Sequence, residues 1–224
     1  MHITQNQAIR CIIFDWDGTL IDSIKPLIVA FNQTCDELSL ARPDQDRLRK
    51  SFGNHSQTIL KQLMAPSMEA KEFESFVITF EKLFFEHYRS LHPILIENTK
   101  PTLVKLKNQG YHICIATNAP RPVLLRGLQA TSTMDLFDFT ASADEFPPKP
   151  SPLMLEKCAI MTETLPENCL MVGDHYNDIL AGQAASMQTI GVLTGSQDRQ
   201  GLSPHQPSDI LSSAAELTNW LDKR

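Results

Sequence analysis

The feature that most constrains this chain is a set of short apolar runs, each stopped abruptly by polar residues. Cys11-Ile12-Ile13-Phe14 runs into Asp15-Trp16-Asp17-Gly18, Ile113-Cys114-Ile115-Ala116 into Thr117-Asn118, and Cys169-Leu170-Met171-Val172 into Gly173-Asp174, with Asp178 close behind. Thr189-Ile190-Gly191-Val192-Leu193 completes the set. Such runs, apolar without alternation, suit strands buried on both faces. Helical patterns lie between them: Pro101 opens Thr102 to Asn108, with Leu103 and Leu106 on one face and Gly110 as the stop; Pro152 opens Leu153 to Met161; Asp178 begins Ile179 to Ala185. Strands alternating with helices predict an α/β fold, a Rossmann-like parallel sheet with helices on both faces.

The alternation is interrupted once. From Leu20 to Asn98 no convincing strand occurs, and Lys71 to Arg89 carries a long helical pattern in which Phe73, Phe76, Val77, Phe80, Leu83, Phe84 and Tyr88 recur mostly three and four apart. This predicts a helical domain with its own core, inserted after the first strand. Residues 1–19 and 99–224 then form the main domain and 20–98 the insert. Thr194 to Asp209, rich in Gly, Ser, Gln and Pro, reads as a surface loop, and Ser213 to Leu221 as a closing helix.

Composition narrows the function. With 224 residues, 42% of them hydrophobic and 21% charged, the chain has material for a folded core and is neither disordered nor fibrous. A formal net charge of -6 with scattered Lys and Arg argues against a nucleic-acid polymer as partner and favours a small substrate. Met1 to Arg10 is polar, and no run approaches the roughly 20 apolar residues of a membrane helix, so no membrane partner and a cytoplasmic location are expected. Cys11, Cys35, Cys114, Cys158 and Cys169 show neither a CxxC pair nor zinc-site spacing and read as reduced small hydrophobes.

In an open parallel sheet chemistry gathers at the carboxyl ends of the strands, where these polar residues fall. Any one has an ordinary alternative: an aspartate as turn or cap, Gly18 as a tight turn, Thr117 as a cap, Lys149 as a solvated charge. Asp15 and Asp17, however, crowd like charges into one loop, which a cation or a proton must relieve. Magnesium accepts oxygen ligands and needs only one or two carboxylates besides phosphate and water, which Asp15 and Asp174 can supply. A calcium-binding loop lacks its late glutamate here, and zinc lacks its Cys and His.

Asp15-Trp16-Asp17-Gly18-Thr19-Leu20, Thr117-Asn118, Lys149-Pro150 and Gly173-Asp174-His175-Tyr176-Asn177-Asp178 resemble, in order, the motifs of the haloacid dehalogenase-like superfamily. The insert resembles the cap of its phosphoglycolate phosphatase-like and beta-phosphoglucomutase-like branch. The resemblance implies a Mg2+-dependent phosphatase acting on a small phosphorylated metabolite through a phospho-aspartate. Asp15 would be the nucleophile and Asp17 the general acid and base. The Asp15 and Asp174 side chains, with the Asp17 carbonyl, would hold Mg2+. Thr117, Lys149 and the Asn118 backbone amide would bind the phosphoryl group, and Asp178 would orient waters or Lys149 from behind the metal.

Asp17 favours phosphate chemistry over dehalogenation, whose enzymes usually lack that second aspartate. A sugar phosphomutase and a non-catalytic phosphate-binding or regulatory protein remain as alternatives. A phosphonatase would need a cap lysine, and no pattern selects among Lys25, Lys50 and Lys61. Substrate choice is expected in Arg49, Lys50, Phe52, Gly53, Asn54 and His55. His175 replaces the small hydroxyl residue common at its position, with a substrate contact and an outward ring both open. The chain is expected to be a monomer or a homodimer.

Overall fold

The computed structural model describes residues 8–52, 63–64, 68–90 and 94–223. Strand β1 (Cys11–Phe14) lies inside a six-stranded sheet with β2 (His112–Thr117), β3 (Phe139–Ser142), β4 (Cys169–Gly173), β5 (Gln188–Val192) and β6 (Asp209–Leu211). The order is β3-β2-β1-β4-β5-β6 and every pairing is parallel. Side chains alternate between two buried faces. Ile12 and Phe14 join Ile113, Ile115, Leu170 and Val172 beneath Leu103 and Leu106 of helix Thr99–Asn108 and Leu217 of helix Leu217–Leu221. Cys11, Ile13, Cys114, Cys169 and Met171 face the opposite way, against Met154, Leu155 and Cys158 of helix Leu153–Met161. With apolar residues on both faces, these strands carry no polar alternation. The five cysteines are free and buried, as small hydrophobes.

Register sets the site. Phe14 pairs with Ile115 on one side and Val172 on the other, so Asp15, Thr117 and Asp174 emerge from neighbouring strands at one edge. Thr117 is the last residue of β2, where the sequence places it just beyond the strand.

Between β1 and helix Thr99–Asn108 the described residues include the helices α1 (Ile24–Glu37), α2 (Gln45–Ser51) and α3 (Ala70–Ser90). Phe76, Phe80 and Leu83 are buried against Phe31 and Leu48, with Phe73, Val77 and Phe84 packed around them. The Phe31 ring centroid lies 5.2 Å from that of Phe76 and 5.8 Å from that of Phe80. The side chain of Tyr88 lies outside the described residues. Asp44 caps α2 by accepting the Arg47 N–H at 2.9 Å. The two connections to the sheet run side by side: the Asp22 N–H donates to Ile94, the Ile96 N–H donates to Leu20, and Ile21 bridges Leu95. No described helix is long and apolar enough to cross a membrane.

Two strands escape the apolar-run reading. β3 is half-buried at one sheet edge and contains Thr and Ser, and β6 is only three residues long at the other edge. Edge strands need no continuous apolar pattern, because one side has no neighbour. Thr194 to Asp209 is not a surface loop: Ser196 and Gln197 are buried, Arg199–Leu202 is a helical turn, and β6 begins at Asp209.

Candidate active site

The backbone of Asp15 stays in the sheet, its N–H donating to Val172 at 2.9 Å, while its side chain meets Lys149. The Lys149 ammonium donates to Asp15 Oδ1 at 2.8 Å, Asp178 Oδ1 at 2.6 Å and the Ala116 carbonyl at 2.7 Å. Those acceptors use all three of its protons. Lys149 is 3% exposed, which removes the solvated-charge alternative. Burial opposes its charge, but Asp15 and Asp178 outweigh burial and push its pKa up.

Asn118 fixes Lys149 from below. Its Oδ1 accepts the Lys149 N–H at 2.7 Å and its Nδ2 donates to the Lys149 carbonyl at 3.1 Å, a two-point clamp on the backbone of a Pro-rich segment. Next to it Thr117 is 1% exposed; its oxygen accepts the Ala119 N–H at 3.0 Å, leaving the hydroxyl proton to donate elsewhere.

Asp178 sits in the first turn of helix Tyr176–Ala184 and accepts the His175 N–H on Oδ2 at 3.0 Å. His175 closes the reciprocal cap, Nδ1 accepting the Asn177 N–H at 3.1 Å. Its ring is 1% exposed, so the outward placement is excluded, and burial pulls its pKa down to about 3. The ring is therefore neutral.

Asp174 carries the tightest set of donors. Thr19 Oγ1 donates to its Oδ1 at 3.1 Å, and Ser196 donates both its N–H, at 2.7 Å, and its hydroxyl, at 2.9 Å, to Oδ2. Gly18 makes the turn that brings Thr19 there: its φ of +74° belongs to glycine, and a Cβ would lie 2.9 Å from the Asp174 carboxylate. Burial, then the charges of Asp15 and Asp178, push the Asp174 carboxyl up to about 8. Burial raises Asp15 to about 6 against the pull of Lys149. Asp17, half-buried, is raised to about 6 by burial and by Asp15, while Ser23 beside it acts in the opposite direction.

These three carboxyl shifts share burial as their leading cause, and the charge of a neighbouring carboxylate raises each one further. Oxygens of Asp15, Asp174 and Asp178 lie within 4.8 Å of one another, a group that could hold a metal ion. An all-carboxylate donor set suits a hard cation. All three carboxylates already accept protein donors: Asp178 from Lys149 and the His175 amide, Asp15 from Lys149, and Asp174 from Thr19 and Ser196.

The segment expected to choose substrate divides. Phe52 belongs to the core of the insert, whereas Arg49 reaches the Gly195 carbonyl at 3.4 Å and Lys50 pairs with Asp198 at 3.4 Å. Gly53, Asn54, His55 and Lys61 lie outside the described residues. A cleft of about 770 Å³ opens between insert and sheet, lined by Lys25, Ile28, Arg49, Ile94, Thr194 and Gly195 among others.

The family model described as Haloacid dehalogenase-like hydrolase matches residues 12–192. The chain belongs to this family. A phosphoglycolate phosphatase of Psychrobacter arcticus is 32% identical over 223 residues, covering 96% of each chain. Pyrophosphatase PpaX of Bacillus mycoides is 27% identical, over 96% of this chain and 98% of its own. In fold, the crystal structure of a hydrolase from Pseudomonas syringae matches 96% of this chain and 98% of its own with a TM-score of 0.81 at 22% identity. With relatives of these kinds, this haloacid dehalogenase-like chain is a phosphatase.

Sequence reasoning missed the supports of Asp174 and Lys149. Thr19 stands within the first motif but had no role assigned, and Asn118 acts through its side chain. Ser196 follows β5 at the same carboxyl edge as the other polar residues. That edge was the available signal.

Proposed function

We propose that this phosphatase hydrolyses a small phosphate monoester, with phosphoglycolate as the leading candidate, in two steps through a phospho-aspartate on Asp15. The observation that carries the reading is the pair formed by Asp15, held 2.8 Å from Lys149, and Asp17, whose carboxyl is raised to about 6. A group titrating near neutrality can give a proton and take one back.

Asp15 attacks phosphorus while Asp17 protonates the departing alkoxide oxygen. Asp17, now a carboxylate, takes a proton from water as that water attacks phosphorus and the bond to Asp15 breaks. The Thr117 hydroxyl donates to the phosphoryl oxygens, Lys149 turns to them the donor it holds on Asp15 as Asp15 bonds to phosphorus, and the Asn118 clamp keeps Lys149 aimed. Bound Mg2+, held by the Asp15 and Asp174 carboxylates and the Asp17 carbonyl, supplies the positive charge that lets an anionic substrate approach an anionic nucleophile. Residues 20–98 act as a cap over this edge.

Phosphoglycolate leads because the Psychrobacter arcticus relative at 32% identity bears that name; pyrophosphate follows from the Bacillus mycoides relative at 27%. The test is phosphate release by the purified chain, with and without Mg2+, from p-nitrophenyl phosphate, phosphoglycolate, pyrophosphate, sugar phosphates and nucleotides. Mg2+-dependent release is expected. Isomerisation of a sugar phosphate without release would make it a mutase, and no turnover across the panel would leave a phosphate-binding protein.

A further inference from the structure

We propose that Ser196 and Gln197 are positioning residues that join the insert to Asp174, so that the grip of the site on its cation depends on the seating of α2. The inference rests on the reading of Asp174 as a metal ligand.

The segment after β5 works in two directions. Inward, Thr194 Oγ1 donates to the Gly18 carbonyl at 2.7 Å and Ser196 places two donors on Asp174 Oδ2. A Cβ on Gly195 would lie 2.1 Å from that same Oδ2, so this backbone and the carboxylate are in close contact. Outward, Gln197 Nε2 donates to the Lys50 carbonyl at 2.7 Å, Arg49 reaches the Gly195 carbonyl, and Lys50 pairs with Asp198.

Ser196 and Gln197 are consecutive and both buried, at 0% and 6% exposed. One peptide unit thus separates the donor on the metal-ligand candidate from the donor on the insert.

The acceptor on the insert has a specific character. Lys50 lies in the last turn of α2, where carbonyls have no partner within the helix, and the Gln197 amide satisfies one of them. The buried ring of His175 faces the Lys50 backbone as well, its Nε2 completing no hydrogen bond. Lifting α2 away strips Gln197, Gly195 and Asp198 of their partners on α2 at once and frees the segment that aligns Asp174. Linkage makes the effect reciprocal: a cation that fixes Asp174 favours a seated α2 by the same factor.

The test is a Mg2+ titration followed by the fluorescence of Trp16, which is fully buried between Asp15 and Asp17, in a Trp220→Phe chain. Amide exchange of α2 is measured with and without Mg2+. Parent chain is expected to bind Mg2+ and to slow α2 exchange on binding. Gln197→Ala is expected to weaken Mg2+ binding about fivefold and to abolish that protection. Gln197→Glu keeps the packing but replaces the donor, and gives the same loss if the hydrogen bond is the cause. Asp198→Asn, altered at a half-exposed ion pair, provides the weaker perturbation should either Gln197 variant fold poorly. Variants that bind Mg2+ as tightly as the parent overturn the inference. A parent chain that binds no Mg2+ overturns instead the reading of Asp174 as a ligand, and the inference with it.

Discussion

Nζ of Lys149 lies 2.6 Å from Oδ1 of Asp178, with each side chain 1% exposed, and the same ammonium serves Asp15 at 2.8 Å. Removing one member of a buried charge network leaves the others uncompensated. Lys149→Met is therefore expected to cost the metal-free chain about 3 kcal/mol in denaturant unfolding. It should also both weaken substrate binding and slow turnover; unchanged kinetics would show that Lys149 does not face the phosphoryl group.

Asp15→Asn replaces the proposed nucleophile with an amide and is expected to abolish the phospho-enzyme, while Asp17→Asn is expected to impair leaving-group protonation or hydrolysis of the intermediate. Each loss should reach at least about a thousandfold, or roughly 4 kcal/mol. Quenched single-turnover reactions with labelled substrate separate the two. Near-normal turnover by Asp15→Asn would sink the mechanism.

Asp174 predicts an unusual pH dependence. Burial lifts its carboxyl from 3.8 to about 8, so across that window the folded metal-free chain keeps a proton that the unfolded chain has released. Stability from this group is present below its unfolded pKa and is lost as pH rises through the folded value. Thermal melts of the metal-free chain should fall toward about pH 8, and Mg2+, which replaces the proton, should raise the melting temperature more there than at about pH 6. A melting temperature that rises with pH without metal would contradict this.

Gly195→Ala should abolish or severely weaken Mg2+ binding, because the added Cβ falls 2.1 Å from Oδ2 of Asp174. Gly110→Ala is the control: its φ is +89° but nothing lies within 4 Å of the added carbon, so the cost is backbone strain of about 1 kcal/mol with Mg2+ binding intact. Mg2+ titration and melting of both variants make the comparison.

The central strands were legible because burial on both faces leaves only apolar residues in β1 and β4. The edge strands β3 and β6 were not, since half-buried or very short segments tolerate Thr, Ser and Asp. Within the site, Asp15, Thr117, Lys149, Asp174 and Asp178 were visible as polar interruptions at strand ends or within a Pro-rich stretch. Ser196 was not: Gly, Ser and Gln read as loop residues, and only tertiary contact shows a serine spending both of its donors on one carboxylate. His175 could not be placed because a histidine cap and a surface histidine look alike in one dimension.

The paired connections at Leu20–Asp22 and Ile94–Ile96 have an architectural consequence. Because the chain leaves the sheet and returns at adjacent points, what lies between can be exchanged as a cassette without disturbing the strand order. The proposed catalytic edge can stay constant while the insert is rewritten, provided each new insert presents something for Gln197 to hold.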